Sequence, residues 1–328
     1  ALRAAGGELR YRRKLAARLE QLILREGLDL IEAPDATAEA LFYRPERHPE
    51  IPFVVKLHGP FAVAELFDRN LPEALRRLVR ALERRQLLRA THASVPSRTV
   101  VPLFRRELGL RAPLHVLANP PPYALFPAPA LAQERDPNLV LFAGRVAPMK
   151  GVDLFVAAIP AVLERFPAAR FVVAGGDAVS EARFAASRRS LYASLPERAR
   201  GALHFAGRLP YPDLAELYAR AALCVFPSRY EPFGYTCLEA MRFGNAVVGS
   251  DHGGMRELLD EGRAGRLVRA ETGAVAGAVL ELLGDPALRG VLGERARERA
   301  LSVYGEAPVL AATERFYRRA IAERAHLR

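Results

Sequence analysis

The sequence is poor in cysteine and has no long apolar run. Its two cysteines, Cys224 and Cys237, lack the histidine pair that would complete a zinc site, and we expect both to be reduced core thiols. No segment approaches the ~18 apolar residues of a membrane-spanning helix. The first residues also lack the apolar core of a secretory signal. These absences exclude disulfide-stabilised, zinc-binding and membrane-spanning classes and favour a cytoplasmic protein.

Lysine is also scarce, although the chain is strongly basic. The net charge is +11, and arginine supplies all but three of the 48 basic residues. A coding bias toward arginine explains most of this composition, while the excess charge fits an anionic partner such as a phosphorylated substrate or an anionic membrane surface. No nucleic-acid-binding module is recognisable, so nucleic acid is not expected as a partner. The lysines are Lys14, Lys56 and Lys150, and the position of Lys150 in a glycine-containing loop favours a specific role.

From residue 138 onward, short apolar runs alternate with helical patterns. This regular succession of strands and helices predicts a doubly wound parallel sheet with right-handed crossovers. The strands are predicted at Leu139–Ala143, Arg170–Ala174, Leu203–Ala206, Leu223–Phe226, Ala246–Gly249 and Gly265–Val268.

The first half has the same α/β character. Gly6 and Gly7 can be read as the remnant of a glycine-rich loop, but no strand pattern precedes them, so we expect the domain's first strand and its glycine-rich loop to be missing. A proline-dense stretch from Asn119 to Pro137 marks the domain boundary. We predict a first domain at 1–128, a second at 129–305, and a helix at 306–328 that crosses back to the first domain. An arginine-rich helix (Glu8–Glu26) is predicted to precede strands at Leu28–Glu32, Phe53–Leu57, Thr91–Val95 and Leu114–Leu117.

Two glutamates eight positions apart, Glu231 and Glu239, form the most informative motif. The first lies in a loop after the apolar run Ala222–Phe226, and the second lies inside a predicted helix. The motif therefore lies where the carboxyl end of a strand passes into a helix, which is where open α/β sheets bind ligands. Free N–H groups of a helix that begins near Gly234 suit phosphate oxygens or sugar hydroxyls.

Three interpretations of this glutamate pair stay open on the residues alone. An acid/base pair of a hydrolase is one, although the helix rise places Glu239 roughly 8 Å along the axis from Gly234, too far for a retaining hydrolase. Recognition of sugar and ribose hydroxyls by the two carboxylates is the second. Favourable electrostatics at the start of the helix is the third, and it explains Glu231 but not Glu239.

A second group of residues follows the strand Leu139–Ala143. Gly144 and Arg145 end that strand, and Lys150 with Gly151 opens the next helix. A guanidinium, an ammonium and a helix N-terminus at one strand end can bind a diphosphate and neutralise charge on a leaving group. The spacing is not that of a P-loop. The alternative is that Arg145 and Lys150 are ordinary solvated loop residues.

Weaker signals follow other strands. His58 ends the strand Phe53–Leu57, where it could donate to a sugar, although a lone histidine is more often structural. Gly253 and Gly254 follow another strand, and Arg208 with Leu209 lies at a further strand exit where a base could bind. Each signal is weak alone, and their common position at strand ends is what gives them weight.

Together these residues resemble glycosyltransferase family 4 of the GT-B fold. The resemblance covers nearly the whole chain from Leu28 and is strongest over Leu139–Gly265. It implies two Rossmann-like, doubly wound parallel-sheet domains facing a cleft. The strings that carry it are Phe142-Ala-Gly-Arg with Met149-Lys-Gly, Phe171-Val-Val-Ala-Gly-Gly, Phe205-Ala-Gly-Arg-Leu-Pro, Pro227-Ser-Arg-Tyr-Glu-Pro-Phe-Gly-Tyr-Thr-Cys-Leu-Glu-Ala-Met and Gly249-Ser-Asp-His-Gly-Gly.

The resemblance implies a retaining, metal-independent glycosyltransferase that moves a sugar from a UDP-, GDP- or ADP-sugar to an acceptor hydroxyl. No cofactor is implied beyond the donor, and no Asp-x-Asp metal motif occurs. The acceptor is a cell-envelope glycan, a glycolipid or a small molecule. The residues with catalytic roles are His58, Arg145, Lys150 and Glu231. The residues that bind the donor are Gly144, Arg145, Lys150, Arg208, Leu209, Glu231, Phe233, Gly234, Tyr235 and Glu239.

Within this implied site, the diphosphate lies with Arg145 and Lys150, and Glu239 binds the ribose. Glu231 and the following amides hold the donor sugar. Asn119-Pro120-Pro121 departs from the usual Asn-Gly turn. A GT-B epimerase or phosphorylase, and a non-catalytic nucleotide-sugar-binding module, stay open as alternatives. The arginine-rich first helix also allows peripheral contact with the inner face of an anionic cell membrane.

Overall fold

The computed structural model describes residues 2–68, 71–110, 113–119, 134–177 and 180–327, which form two compact units. The first unit comprises Ala1–Asn119 and Val309–Arg328, and the second comprises Pro120–Pro308. The helix at the C-terminus thus belongs to the same unit as the N-terminal half. Most of the proline-dense stretch, residues 120–133, lies outside the described residues.

Parallel strands build both units. In the first unit one sheet has the order β1-β2-β3-β4, and in the second one sheet has the order β10-β9-β8-β5-β6-β7. All pairings are parallel. The strands are β1 (Ile31–Pro34), β2 (Phe53–Lys56), β3 (His92–Val95), β4 (His115–Val116), β5 (Asp136–Ala143), β6 (Arg170–Ala174), β7 (Leu203–Gly207), β8 (Ala221–Phe226), β9 (Ala246–Ser250) and β10 (Arg266–Val268).

Helices connect the strands, as parallel pairing requires. No helix of the described residues is long and apolar enough to cross a membrane. The helices are α1 (Leu2–Glu26), α2 (Phe61–Asp68), α3 (Glu73–Leu87), α4 (Val101–Leu108), α5 (Val152–Arg165), α6 (Glu181–Ser194), α7 (Glu197–Arg200), α8 (Tyr211–Arg220), α9 (Tyr235–Arg242), α10 (Met255–Leu258), α11 (Thr272–Gly284), α12 (Pro286–Ser302) and α13 (Glu306–Arg324).

The alternative interpretation of Gly6 and Gly7, as the remnant of a loop, was wrong. Gly6 and Gly7 do not belong to a loop, because both lie within the backbone of α1, which begins at Leu2. Glycine lowers helix propensity by about 1 kcal/mol relative to alanine but does not forbid a helix. Gly6, Gly7 and the arginine-rich sequence after them therefore belong to one continuous helix.

Strand β5 is one of the two central strands of the second sheet. It pairs with β6 on one side and with β8 on the other. Strands β5 to β7 follow one another in one direction across the sheet, and β8 to β10 follow in the other. The order therefore reverses between β5 and β8, and the carboxyl ends of these two strands form the topological switch point, where open α/β sheets bind ligands.

Apolar packing on both faces fixes this sheet. All six residues of β8 are buried, which is the pattern of a strand covered by helices on both sides. Phe142, Phe155 and Phe171 form consecutive ring contacts between β5, α5 and β6. Cys224 and Cys237 are free and buried in this core, and burial raises the pKa of both thiols. Both cysteines are therefore inert core residues.

Candidate functional site

The loop that carries Glu231 leaves β8 at the switch point. Strand β8 ends at Phe226, and α9 begins at Tyr235. Gly234 precedes α9 with a φ of 104°, which a side chain would disfavour, so glycine permits this sharp entry into the helix. Glu231 is only 8% exposed. A carboxylate buried to this extent requires a partner.

That partner is Lys150, from the neighbouring strand exit. Lys150 ends a short 3₁₀ helix (Pro148–Lys150) between β5 and α5. Its Nζ donates to Glu231 Oε2 over 2.6 Å, and both side chains are largely buried. The structure thus brings together two predicted site residues from the two strands that flank the switch point.

Arg229 connects the loop that carries Glu231 to the loop that carries Lys150. Its backbone N–H donates to the carbonyl of Met149 at 2.9 Å. Its guanidinium donates to both carboxylate oxygens of Asp153, at 2.7 and 2.6 Å, and to the carbonyl of Pro148 at 2.7 Å. A bidentate arginine–carboxylate pair is directional. It therefore fixes the Glu231 loop against the start of α5.

Two glycines allow the loops to approach closely. Gly151 has a φ of 70°, and a Cβ there would lie 2.0 Å from the carbonyl oxygen of Pro227. A Cβ at Gly253, in the loop after β9, would lie 2.2 Å from the carbonyl oxygen of Glu231. The next residue, Gly254, donates its N–H to that same carbonyl at 2.8 Å. Three strand exits therefore pack together around Glu231.

Glu239 lies on α9 and is half-buried. The hydroxyl of Tyr218, on α8, donates to Glu239 Oε2 at 2.9 Å. Burial raises the pKa of Glu239 to about 7, although the Tyr218 hydrogen bond acts in the opposite direction. Half of the Glu239 population is therefore ionised near neutral pH, when the carboxylate can accept hydrogen bonds from a ligand's hydroxyl groups.

The remaining predicted residues of the second unit lie at the same edge of the sheet. Gly144 follows β5, and its N–H donates to the carbonyl of Ala174 at 2.9 Å. Arg145 is the next residue, while Arg208 and Leu209 follow β7 directly. Phe233 is buried, and its ring contacts those of Tyr235 and Tyr304 with centroids 5.2 and 5.9 Å apart.

His58 belongs to the first unit, where it follows β2. Its backbone N–H and that of Gly59 donate to the two carboxylate oxygens of Asp35, at 3.2 and 3.1 Å. Desolvation lowers the pKa of His58, with the charge of Asp35 opposing this effect. The imidazole is therefore neutral at neutral pH and can donate or accept a hydrogen bond.

Sequence reasoning missed several residues that support the site. Arg229, Asp153 and Tyr218 position Lys150, Glu231 and Glu239, but none of the three stands in a spacing that predicts such a role. Asp35 could have been noticed as a carboxylate directly after a predicted strand.

The site therefore has both cationic and carboxylate side chains at the carboxyl edge of the second sheet. Arg145 and Lys150 provide positive charge for phosphate oxygens, and Glu231 and Glu239 provide acceptors for hydroxyl groups. Among the residues that the structure describes, no cluster of three or more His, Cys, Asp or Glu could hold a metal ion.

The comparison with known families agrees with this chemistry. Residues 128–299 match the sequence profile of the family described as glycosyl transferases group 1, and residues 1–120 match a glycosyl transferase 4-like domain. The chain belongs to the glycosyl transferases group 1 family. This glycosyltransferase is 29% identical over 294 residues to glycogen synthase of Mycobacterium tuberculosis, with 88% of this chain and 67% of that protein covered. It is 31% identical over 307 residues to D-inositol 3-phosphate glycosyltransferase of Kineococcus radiotolerans, with 84% and 68% covered.

Solved structures show the same fold. A sucrose-phosphate synthase from Thermosynechococcus elongatus matches with a TM-score of 0.77 at 24% identity, over 95% of this chain and 78% of that one. Anabaena Alr3699/HepE in complex with UDP matches with a TM-score of 0.70 at 19% identity, over 92% and 81%. The predicted family and the predicted GT-B fold with two α/β domains are confirmed, and so is the prediction of an enzyme.

Proposed function

We propose that this glycosyltransferase moves a sugar from a nucleoside-diphosphate donor to an acceptor hydroxyl with retention of anomeric configuration. The observation that carries the proposal is the pairing of Lys150 with Glu231 at the switch point. The loop that carries Glu231 leads directly into α9, which carries Glu239. A diphosphate needs the cation, and a sugar or ribose needs the carboxylates. Alr3699/HepE, which shares the fold, has been solved with UDP and with UDP-glucose, and these complexes support the donor class.

In this proposal the predicted residues of the second unit have the following roles. Arg145 and Lys150 bind the diphosphate, and Glu239 accepts hydrogen bonds from the ribose. Glu231 and the amides of Phe233, Gly234 and Tyr235 hold the donor sugar at the start of α9, where free N–H groups are available. Arg208 and Leu209 border the base.

The proposed reaction proceeds by front-face attack. The acceptor oxygen bonds to the anomeric carbon on the side from which the diphosphate leaves, and an oxygen of that diphosphate takes the acceptor proton. Lys150 and Arg145 stabilise the negative charge that develops on the leaving group. Neither Glu231 nor Glu239 transfers a proton in this scheme, and no metal or cofactor takes part.

Incubation with UDP-, GDP- and ADP-glucose tests this function. We expect release of one nucleoside diphosphate above the rate in buffer, with transfer to an added panel of hydroxyl acceptors. Proton NMR of the anomeric signal should show the same configuration in product and donor. Inversion would refute the retaining mechanism. Epimerised donor, or sugar release only with added phosphate, would instead support the epimerase or the phosphorylase.

We also propose peripheral contact between the first unit and the cytoplasmic face of an anionic membrane. The first unit contains 26 basic and 16 acidic residues, a net charge of +10, whereas the second contains 22 and 21, a net charge of +1. Leu75 and Leu78 of α3 are exposed, as is Leu88 directly after it, and Arg77 and Arg84 belong to the same helix. Exposed leucines between arginines favour the interface of an anionic bilayer.

Vesicle co-sedimentation tests this contact. We expect binding to vesicles with phosphatidylglycerol but not to pure phosphatidylcholine vesicles, and less binding at high salt. The double variant Leu75→Ser and Leu78→Ser should reduce it. Equal sedimentation with both lipids would argue against a membrane role.

A further inference from the structure

Lys56, like Lys150, is a lysine that is largely buried. It is the last residue of β2, and it is only 5% exposed. Among the described residues it makes no hydrogen bond or ion pair, and the carboxylate of Glu32 acts on it only at longer range. That carboxylate already accepts a hydrogen bond from the hydroxyl of Tyr317 at 2.5 Å. Burial of Lys56 lowers the pKa of its ammonium.

Two further buried polar atoms lie in the same part of the first unit. The parallel register places Lys56 beside Ser94 of β3, so their side chains share one face of the sheet. After β4 the chain continues beside β3, because the N–H of Leu117 donates to the carbonyl of Val95 at 2.8 Å. Asn119 lies two residues after Leu117. Within the described residues, Ser94 Oγ is buried without a hydrogen-bond partner, and buried Asn119 Oδ1 has only the His58 ring beside it.

These three groups are at the carboxyl edge of the sheet. Lys56 ends β2, Ser94 is one residue from the end of β3, and Asn119 lies beyond β4. This edge of a parallel sheet is where α/β domains bind ligands. The side chain of Asn119 lies next to that of His58. Because His58 is exposed, a ligand can reach the three groups from its side.

The chemistry of the three groups selects a kind of ligand. Buried cations are normally paired, and buried hydroxyl and amide oxygens are normally hydrogen-bonded. Lys56 and Ser94 can donate to the oxygens of an anion, whereas Asn119 Oδ1 can only accept, as from a neighbouring hydroxyl. A sugar that carries a phosphate or a carboxylate satisfies all three groups together.

We propose that Lys56, Ser94 and Asn119 form an anion-binding pocket of the first unit that takes the phosphate or carboxylate of an acidic sugar. The pocket defines the acceptor of the transfer reaction, and this part of the proposal rests on the proposed function. The long aliphatic stem of Lys56 allows its ammonium to reach an anion that enters past His58.

Lysine NMR tests the pocket directly, because the chain has only three lysines. Labelling with ¹³C,¹⁵N-lysine gives three side-chain signals, each assigned by its loss in Lys14→Met, Lys56→Met or Lys150→Met. We expect saturable shifts of the Lys56 signal with glucose 6-phosphate or glucuronate, and with inorganic phosphate at higher concentration. Neutral glucose should leave the signal unchanged, and the Lys14 signal should not respond to any of these ligands.

The same spectra separate this proposal from the donor proposal. UDP should shift the Lys150 signal. If Lys150 responds to UDP while Lys56 responds to no phosphorylated or carboxylated sugar, the pocket is refuted and the donor site stands. If only Lys56 responds, the pocket stands and the donor site fails. Equal responses of Lys14 and Lys56 would mean nonspecific attraction and would also refute the pocket.

Ser94→Ala provides a readout that a structural role would not produce. Removal of an unpartnered buried hydroxyl should leave the melting temperature unchanged or raise it. The affinity for the sugar that shifts Lys56 should nevertheless fall about threefold to tenfold, as expected for one lost hydrogen bond. Unchanged affinity would contradict the proposal. An unchanged circular dichroism spectrum and a cooperative melting transition serve as the check that the variant is folded.

Discussion

The ammonium of Lys150 lies 2.6 Å from the carboxylate of Glu231, although the two residues are 81 positions apart in the sequence. The contact joins the exit of β5 to the exit of β8, the two strands that flank the switch point. If Lys150 binds the donor diphosphate, Glu231 must share this cation with the ligand. The ion pair then orients the ammonium before binding and competes with the diphosphate during binding.

We predict that Glu231→Gln binds the nucleoside diphosphate more tightly than the wild type. The glutamine keeps the size of the side chain but removes the negative charge that competes for Lys150. Loss of about 1 kcal/mol of competition corresponds to about fivefold tighter binding. Titration calorimetry with UDP, GDP and ADP measures the change. Weaker binding by this variant would mean that Glu231 helps to hold the diphosphate instead of competing with it.

The affinity for the nucleotide should also rise with pH through the pKa of Glu239, which is about 7. Only the ionised carboxylate accepts hydrogen bonds from both ribose hydroxyls. Ionisation increases from about 10% at pH 6 to about 90% at pH 8, so this group can contribute close to a tenfold increase. The diphosphate titrates in part of the same range. The informative quantity is therefore the difference from Glu239→Gln, and identical pH profiles would contradict the role of Glu239.

The same carboxyl should make stability depend on pH. Its pKa is 4.5 in the unfolded chain and about 7 in the folded protein, so the folded state holds the proton more tightly between these values. Its contribution to the free energy of unfolding is therefore fully present below pH 4.5. This contribution, about 3 kcal/mol, is lost as the pH rises from 4.5 through 7. Urea unfolding at pH 5 and pH 8 should show a smaller loss for Glu239→Gln. A loss equal to that of the wild type would count against the shifted pKa.

Tyr218→Phe should weaken nucleotide binding without a direct contact to the ligand. The tyrosine hydroxyl donates to Glu239, and this bond lowers the pKa of the carboxyl. Its removal should raise that pKa further and reduce the ionised fraction at pH 7. Calorimetry should therefore find a larger loss of affinity at pH 7 than at pH 8.5, and an equal loss at both values would point to a packing effect.

Gly151→Ala should damage the site through the backbone. Its φ of 70° disfavours a side chain, and the new Cβ would lie 2.0 Å from the carbonyl oxygen of Pro227. We expect destabilisation by roughly 2–4 kcal/mol and loss of nucleotide binding. Gly277→Ala is the matched control, because Gly277 lies inside α11 with no atom within 4 Å of the added Cβ. That change should stabilise by about 0.5–1 kcal/mol, and similar effects of both changes would contradict the close approach.

Much of the fold follows from local pattern. The strand Arg170–Ala174 has the predicted bounds, and the strand predicted at Ala246–Gly249 differs from β9 by one residue, because the alternation of apolar runs with helical periodicity is a local property. Gly6 and Gly7 show the limit of such reasoning. A glycine pair is typical of a loop, but the flanking residues of α1 favour a helix strongly enough to include it.

The partners within the site could not be predicted from sequence spacing. The contact of Lys150 with Glu231 depends on the placement of β5 next to β8, which only the strand order reveals. Tyr218 on α8 contacts Glu239 on α9 although 21 positions separate them, and the placement of Lys56 beside Ser94 depends on the register of β2 and β3. The sequence motifs placed most of the predicted residues after strand ends, and Glu239 on a helix, but could not assign their neighbours.

Calorimetric titration of UDP, GDP and ADP into the wild type, Lys150→Met and Lys14→Met tests the donor site itself. Lys14 lies in α1 of the first unit and is the matched lysine control. If Lys150 binds the diphosphate, at least one nucleotide should bind, Lys14→Met should leave its Kd unchanged, and Lys150→Met should raise that Kd at least tenfold. Absence of binding by all three nucleotides, or an unchanged Kd in Lys150→Met, would contradict a donor site at the switch point.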